Sequence, residues 1–303
     1  MKRIGVSMVL CIGHATYDVV IPVSSFPKEN TKNRIDGKSI CCGGGPAANA
    51  AYLLAKWGVE TFFSGLVGDD FEARVIEKEF EHVGVKLNYF IKDIDYKTTK
   101  SYVIVNTSNA SRTSLACQNE IKYIDDINIG IKPDIILIDG QEFELSKQVI
   151  EDNPQAKVVI DAGRCIDKVI DLCKISDYIV CSKEFAEDYT KSKNLDDMFN
   201  ILKRDFSAEI VITLESDGCA YYDNEVKIIS TIPTDAVDTT GAGDIFHGAF
   251  VYGLTKGWDM YHILSFANTT SSLSVTKITG RKSIFPLKVV EDTYEELRRR
   301  NIY

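Results

Sequence analysis

Short apolar runs bounded by glycine, proline or charge mark buried strands at residues 6–12, 134–138, 158–161, 178–181 and 209–215. Helical spacing of apolar residues fills residues 71–82, 144–153 and 166–174, with Asp70 placed to cap the first. An alanine-rich helix follows Pro46. Apolar strands alternating with helices predict a mostly parallel central sheet covered on both faces, an α/β fold. A second set of β-rich runs covers 14–23, 32–40, 100–106 and 112–118. The last two, joined by residues 107–111, read as a hairpin. In a parallel sheet ligands collect at the carboxyl ends of strands, where Asp18, Asp161, Ser182 and the Gly241 loop would gather.

The pattern changes once more over residues 234–250, TDAVDTTGAGDIFHGAF, which begins extended and turns helical after Gly241-Ala242-Gly243. Phe246, Ala249, Phe250 and Leu254 keep helical spacing, and Gly257 offers a stop. Glycines at a helix mouth let backbone N–H groups approach an anion at the positive end of the dipole. Asp244 stands there as a base. The same residues also suit an ordinary helix cap and turn.

Composition narrows the partners. The chain has 303 residues, 45% hydrophobic and 26% charged, ordinary for a globular α/β domain. A net charge of −9 argues against nucleic acid or an anionic membrane as a main partner. A phosphate must then be held by local devices. Eight cysteines without CxxC spacing, and four histidines with no metal-type spacing to them, suggest reduced thiols in the cytoplasm. Lys2-Arg3 and the apolar run after it superficially resemble a leader. Gly5 and Ser7 interrupt that run and no cleavage site precedes Asp18, so it reads as the first strand.

Asp238-Thr239-Thr240-Gly241-Ala242-Gly243-Asp244 resembles the C-terminal signature of the ribokinase-like (PfkB) carbohydrate kinases. Gly43-Gly44-Gly45-Pro46-Ala47-Ala48-Asn49 resembles their N-terminal signature, and residues 64–71 a third run of the family. The resemblance spans nearly all of residues 1–303 and implies one ribokinase-like domain. Its small β-sheet lid would be formed by segments around 14–42 and 97–119. It also implies a role for each matched residue. Asp244 would be the base, with the N–H groups of Gly241, Ala242 and Gly243 holding the transferred phosphoryl group. Asp18, Gly44, Gly45 and Asn49 would hold sugar hydroxyls. Residues 108–113, SNASRT, resemble the SNxxRT of ketohexokinase-type members, so Arg112 would reach the active site.

For the nucleotide, the resemblance points to Ser182, Thr213, Glu215, Gly218 and Asn268. Glu215 stands where the family's TLGxxG loop has glycine, and Ser182-Lys183-Glu184-Phe185 departs from its NxxE motif. Glu184 either takes over the carboxylate that positions Mg²⁺ through water or lies in a helix's first turn, where acids are stabilised. Asn268 is either a base contact or a solvent-facing residue. The loop 279–283 and the Asp238-Thr240 segment would flank a monovalent cation such as K⁺. The implied activity is ATP- and Mg²⁺-dependent phosphorylation of an unphosphorylated sugar, a ketose such as fructose or a ribose-like pentose. The lysine of the GGKG loop is absent, and no basic cluster marks a second phosphate site. A nucleoside kinase, with Tyr17 stacking on a base, or an inactive sugar-binding regulator are the alternatives. An NAD-type oxidoreductase is excluded because no GxGxxG follows the first strand. Exposed lid edges favour a homodimer in which the lids cover each other.

Overall fold

A computed structural model describes residues 7–35, 37–117, 122–124 and 127–303, and the counts below refer to these. In chain order come β1 (Met8–Ile12), β2 (Thr16–Val23), β3 (Ile40–Gly44), α1 (Pro46–Lys56), β4 (Glu60–Gly68), α2 (Phe71–Val83), β5 (Lys86–Asp93), β6 (Lys100–Asn106) and β7 (Ser111–Cys117). The middle holds β8 (Ile135–Ile138), α3 (Phe143–Asp152), β9 (Lys157–Ala162), α4 (Asp167–Cys173), β10 (Tyr178–Ser182), α5 (Lys183–Thr190), α6 (Leu195–Asp205) and β11 (Glu209–Thr213). The chain closes with β12 (Cys219–Asp223), β13 (Glu225–Ile229), α7 (Ala242–Lys256), α8 (Met260–Ser274), α9 (Gly280–Ser283) and α10 (Leu287–Arg299).

Nine strands form one sheet in the order β13-β12-β11-β10-β9-β8-β1-β4-β5. It is parallel from β11 to β5 and ends in the antiparallel hairpin β12–β13. Helices cover both faces, each over its own apolar cluster. This is the covered, mostly parallel α/β sheet that the alternating pattern predicted, in the ribokinase-like arrangement that the resemblance implied. A separate four-stranded sheet has the order β3-β2-β6-β7. Its inner face is small, made by Val20, Val103 and Val105, and β7 is exposed along its whole length. So little buried apolar area leaves this sheet dependent on contacts with the larger unit.

Several boundaries differ from the sequence reading. The strand expected at 32–40 lies instead at Ile40–Gly44, so most of the expected glycine loop is extended and pairs with β2. Glycines suit this strand because Asp18 and Arg281 press against Gly44 and Gly43, where any Cβ would collide with them. Helix α8 starts at Met260, capped by Asp259, rather than at Ser265. Residues 280–283 make a helical turn, not an open loop. Asp70 does cap α2, accepting from Ala73 N at 2.9 Å. Val6 and Gln118, the expected ends of two strands, lie outside the described residues.

Helices α7 and α8 pack with almost no gap, because a Cβ on Gly253 would sit 2.8 Å from Ile263 Cγ1. Alanine normally stabilises a helix interior relative to glycine by about 1 kcal/mol. Gly253→Ala is nevertheless expected to destabilise the protein by about 1–3 kcal/mol, since the β-branched Ile263 cannot move aside. Urea unfolding reads this directly; a gain in stability would mean the helices are further apart.

Candidate active site

The helix mouth is built by α7. Gly241 caps it with φ 76°, a left-handed conformation, and its missing Cβ would lie 3.1 Å from Gly280 Cα. The N–H groups of Gly241, Gly243 and Asp244 have no acceptor among the described residues, while Ala242 N leans on Thr239 O at 3.3 Å. Of the expected anion-holding amides, Ala242 is therefore partly spent. Gly243 is exposed and opens to space where a Cβ would meet nothing within 4 Å. Unpaired amides at the positive end of a 15-residue helix form an anion site.

Behind this mouth the buried Asp238 carboxylate accepts from Thr240 N and Thr279 N, both at 2.8 Å. It thereby ties the turn to the α9 segment. The hydroxyls of Thr240 and Thr279 are buried without partners. Beneath the first turn, His247 Nδ1 lies 2.7 Å from Gly243 O and 3.4 Å from Asp161 Oδ2, and its Nε2 is 3.0 Å from Val180 O. Burial pushes Asp161 up to about 6, with His247 pulling the other way.

Asp244 is held from the side. Asn49, buried in α1, donates through Nδ2 to Asp244 Oδ2 at 2.7 Å. The side-chain nitrogen expected to hold sugar is thus turned to the Asp244 carboxylate. Asp18 comes from β2, where Thr16 Oγ1 donates to its Oδ1 at 2.8 Å and its Oδ2 lies over Gly44. Burial pushes Asp18 up to about 6, Thr16 and Arg281 opposing and Asp244 and Glu79 adding to it. Gly45 turns the chain into α1 with φ 98°. From the small sheet, Arg112 donates Nη1 to Thr239 O at 2.6 Å, and Thr239 Oγ1 donates back to Ala110 O at 3.3 Å. The hairpin arginine so meets the turn that precedes the helix mouth.

The residues expected at the nucleotide are more divided. Ser182 and Thr213 stand side by side at the ends of β10 and β11. Ser182 Oγ caps α5, accepting from Phe185 N at 3.0 Å, and Thr213 Oγ1 donates to Cys181 O at 3.3 Å. Glu215 adopts a left-handed backbone of the kind glycine favours, φ 55°, with its side chain exposed. Gly218 and Asn268 converge on the Ile229 carbonyl: a Cβ on Gly218 would strike it, and Asn268 Nδ2 donates to it at 2.8 Å. Asn268 is buried, so neither a solvent-facing role nor a free amide nitrogen for a base remains. Glu184 is exposed in the first turn of α5. No three His, Cys, Asp or Glu among the described residues are grouped to hold a metal. Mg²⁺ carried on a triphosphate needs few protein ligands. Arg281, Glu79 and His247 escaped the sequence reading. Nothing in a Gly-Arg-Lys loop or a helical Glu signals burial beside an active site.

Residues 6–286 match the profile of the pfkB family carbohydrate kinases. The chain belongs to this family. A nucleoside kinase of Methanothermobacter thermautotrophicus is 25% identical over 96% of this chain and 94% of its own length. A ribokinase of Staphylococcus aureus is 25% identical over 91% of this chain and 96% of its own. The Arabidopsis thaliana ribokinase solved with ribose and ATP superposes with a TM-score of 0.77 at 21% identity, covering 96% of this chain and 99% of that one. The pfkB chain described here is thus a phosphotransferase acting on an alcohol group, a sugar or nucleoside kinase. No helix among its described residues is long and apolar enough to cross a membrane.

Asp18 carries a stability cost that can be measured. Its folded pKa of about 6 lies above the ordinary 3.8, so the folded state holds this proton longer than the unfolded chain. Its contribution to stability therefore falls as pH rises from about 4 through 6. Asp18→Asn is expected to stabilise the pfkB protein at pH 8 by about 1–3 kcal/mol, and by about half as much at pH 5. Urea unfolding at both values checks this; equal effects at the two would show that Asp18 ionises normally.

Proposed function

We propose that this protein is an ATP-dependent kinase that phosphorylates a hydroxyl of an unphosphorylated sugar, a ketose such as fructose or a ribose-like pentose. The observation that carries this reading is the pairing of Asp244 with unpaired helix-mouth amides beside the half-buried Asp18. Asp18, Gly44 and Gly45 would hold the acceptor. Asp244 takes the hydroxyl proton as the acceptor oxygen bonds to the γ-phosphorus and the bridging oxygen leaves with ADP. The amides of Gly241, Gly243 and Asp244 take up charge on the phosphoryl group in flight, with Ala242 contributing less. Mg²⁺ bound to ATP would neutralise its β- and γ-phosphates, with Glu184 reaching it through water. The nucleotide would lie along Ser182, Thr213 and Glu215, over a frame set by Gly218 and Asn268. Asp238, Thr240 and Thr279 would border a monovalent cation. Arg112 and the small sheet would close over the sugar and exclude water. Two such sheets would cover each other in a dimer through the exposed β7 edge. Eight unpaired thiols suit a reducing cytoplasm.

Two observations favour a plain sugar. The carboxylates of Asp18 and Asp244 repel an acceptor that already bears a phosphate. Tyr17, the residue available to stack on a nucleoside base, is 8% exposed and packed edge-on against Phe71. ATP turnover against ketoses, aldoses, nucleosides and sugar phosphates tests the proposal. One unphosphorylated ketose or pentose is expected to be converted to its phosphate ester. Turnover of nucleosides alone would overturn the substrate class, and sugar binding without turnover would make the protein a regulator. Affinity for the accepted sugar should fall by about tenfold per pH unit below pH 6, where Asp18 gains its proton. Calorimetric titration across pH 5–8 reads it, and a flat profile would remove Asp18 from the site.

A further inference from the structure

Arg281 is the largest fully buried side chain, 2% exposed, and follows the Gly280 that packs on the helix-mouth glycine. A guanidinium keeps its charge, and burying it is harder to offset than burying an aliphatic chain of that size. Its Nη2 has no hydrogen-bond partner among the described residues. The group lies over the Phe80 and Tyr52 rings, 4.6 and 5.5 Å from their centres. A methionine would fill such a place at lower cost, so packing alone does not account for an arginine here.

Its remaining donors have definite partners. Nε donates to Asn49 Oδ1 at 3.1 Å, and Nη1 donates to Glu79 Oε2 at 2.9 Å. The first bond settles how the Asn49 amide lies, because a guanidinium only donates and so must face the amide oxygen. The amide nitrogen is left to meet Asp244 Oδ2. One carboxylate oxygen of the base is thereby fixed, and Oδ1 is free for an incoming hydroxyl proton. Glu79 Oε2 also accepts from Gly43 N at 2.8 Å, in the strand that flanks Asp18.

We propose that Arg281 is a positioning residue for phosphoryl transfer. It orients Asn49 so that Asp244 presents one oxygen to the acceptor, and through Glu79 it registers the small sheet to that base. The proposal rests on the kinase reading above.

A double-mutant cycle tests it, with Arg281→Gln, Asn49→Ala and the pair compared in single-turnover transfer at saturating sugar and Mg-ATP. Arg281→Gln should slow transfer by about tenfold or more while sugar affinity changes by less than about threefold. In the Asn49→Ala background the same change should cost less than about twofold. Additive losses, or an Arg281→Gln rate equal to wild type, would overturn the proposal. Arg281→Lys keeps the charge and one donor, and should recover part of the rate; it carries the cycle if the glutamine variant does not fold. A crystal structure of the Arg281→Gln variant gives a readout independent of any acceptor. Asn49 should have turned from Asp244, and an unmoved Asn49–Asp244 bond would sink the positioning role. Failure of the wild type to phosphorylate any acceptor would count against the kinase reading instead.

Discussion

The 2.7 Å bond from Asn49 to Asp244 joins the two halves of the site. Asn49 comes early in the chain, from the helix entered through the glycine strand. Asp244 comes from the long central helix near the other end. The bond requires α1 and α7 to cross closely, and alanines line that face of α1 while Gly248 of α7 packs 3.2 Å from Ala50 Cα where its Cβ would be. Small residues here serve approach, and approach serves the carboxylate. The buried Asp238 then fixes the turn that opens α7, and Gly241 is free to take the left-handed conformation that exposes its amides.

Charge is distributed with similar economy. In so acidic a protein, unpaired amides at the helix mouth would hold an anionic phosphate, not a general positive field. The carboxylates of Asp18, Asp244 and Glu79 crowd together near Arg281, and burial pushes Asp18 upward. Such crowding is unfavourable for folding and favourable for gripping hydroxyls, the usual trade between stability and function. The small sheet shares in it, because Gly43 meets Glu79 on one side while Arg112 meets Thr239 on the other.

Much of this was legible in the sequence, for physical reasons. Apolar strands alternating with helices can hardly form anything but a covered parallel sheet, and a glycine pair before an Asp at a helix start suits an anion or an ordinary cap. The family resemblance then brought Asp18, Asn49, Arg112 and Asp244 to one place. Less legible were features that depend on who meets whom across the fold. The strand at Ile40–Gly44 looked like a loop because its glycines answer to Asp18 and Arg281, which lie far away in sequence. Asn268 looked available, yet its amide nitrogen is spent on Ile229 O. Glu215 looked like a lost glycine, but the chain keeps the glycine conformation and accepts the strain. Arg281 and Glu79 gave no sign of burial, since local sequence carries no information about a partner more than two hundred positions off.

Single-turnover phosphoryl transfer by Asp244→Asn, with its accepted sugar and Mg-ATP both saturating, tests the account most directly. The amide keeps the shape and the contact with Asn49 but cannot take the hydroxyl proton. Transfer should fall by about a hundredfold or more while sugar affinity is nearly retained. A rate within a few-fold of wild type would show that the proton goes elsewhere and that Asp244 is only an acid in the first turn of its helix.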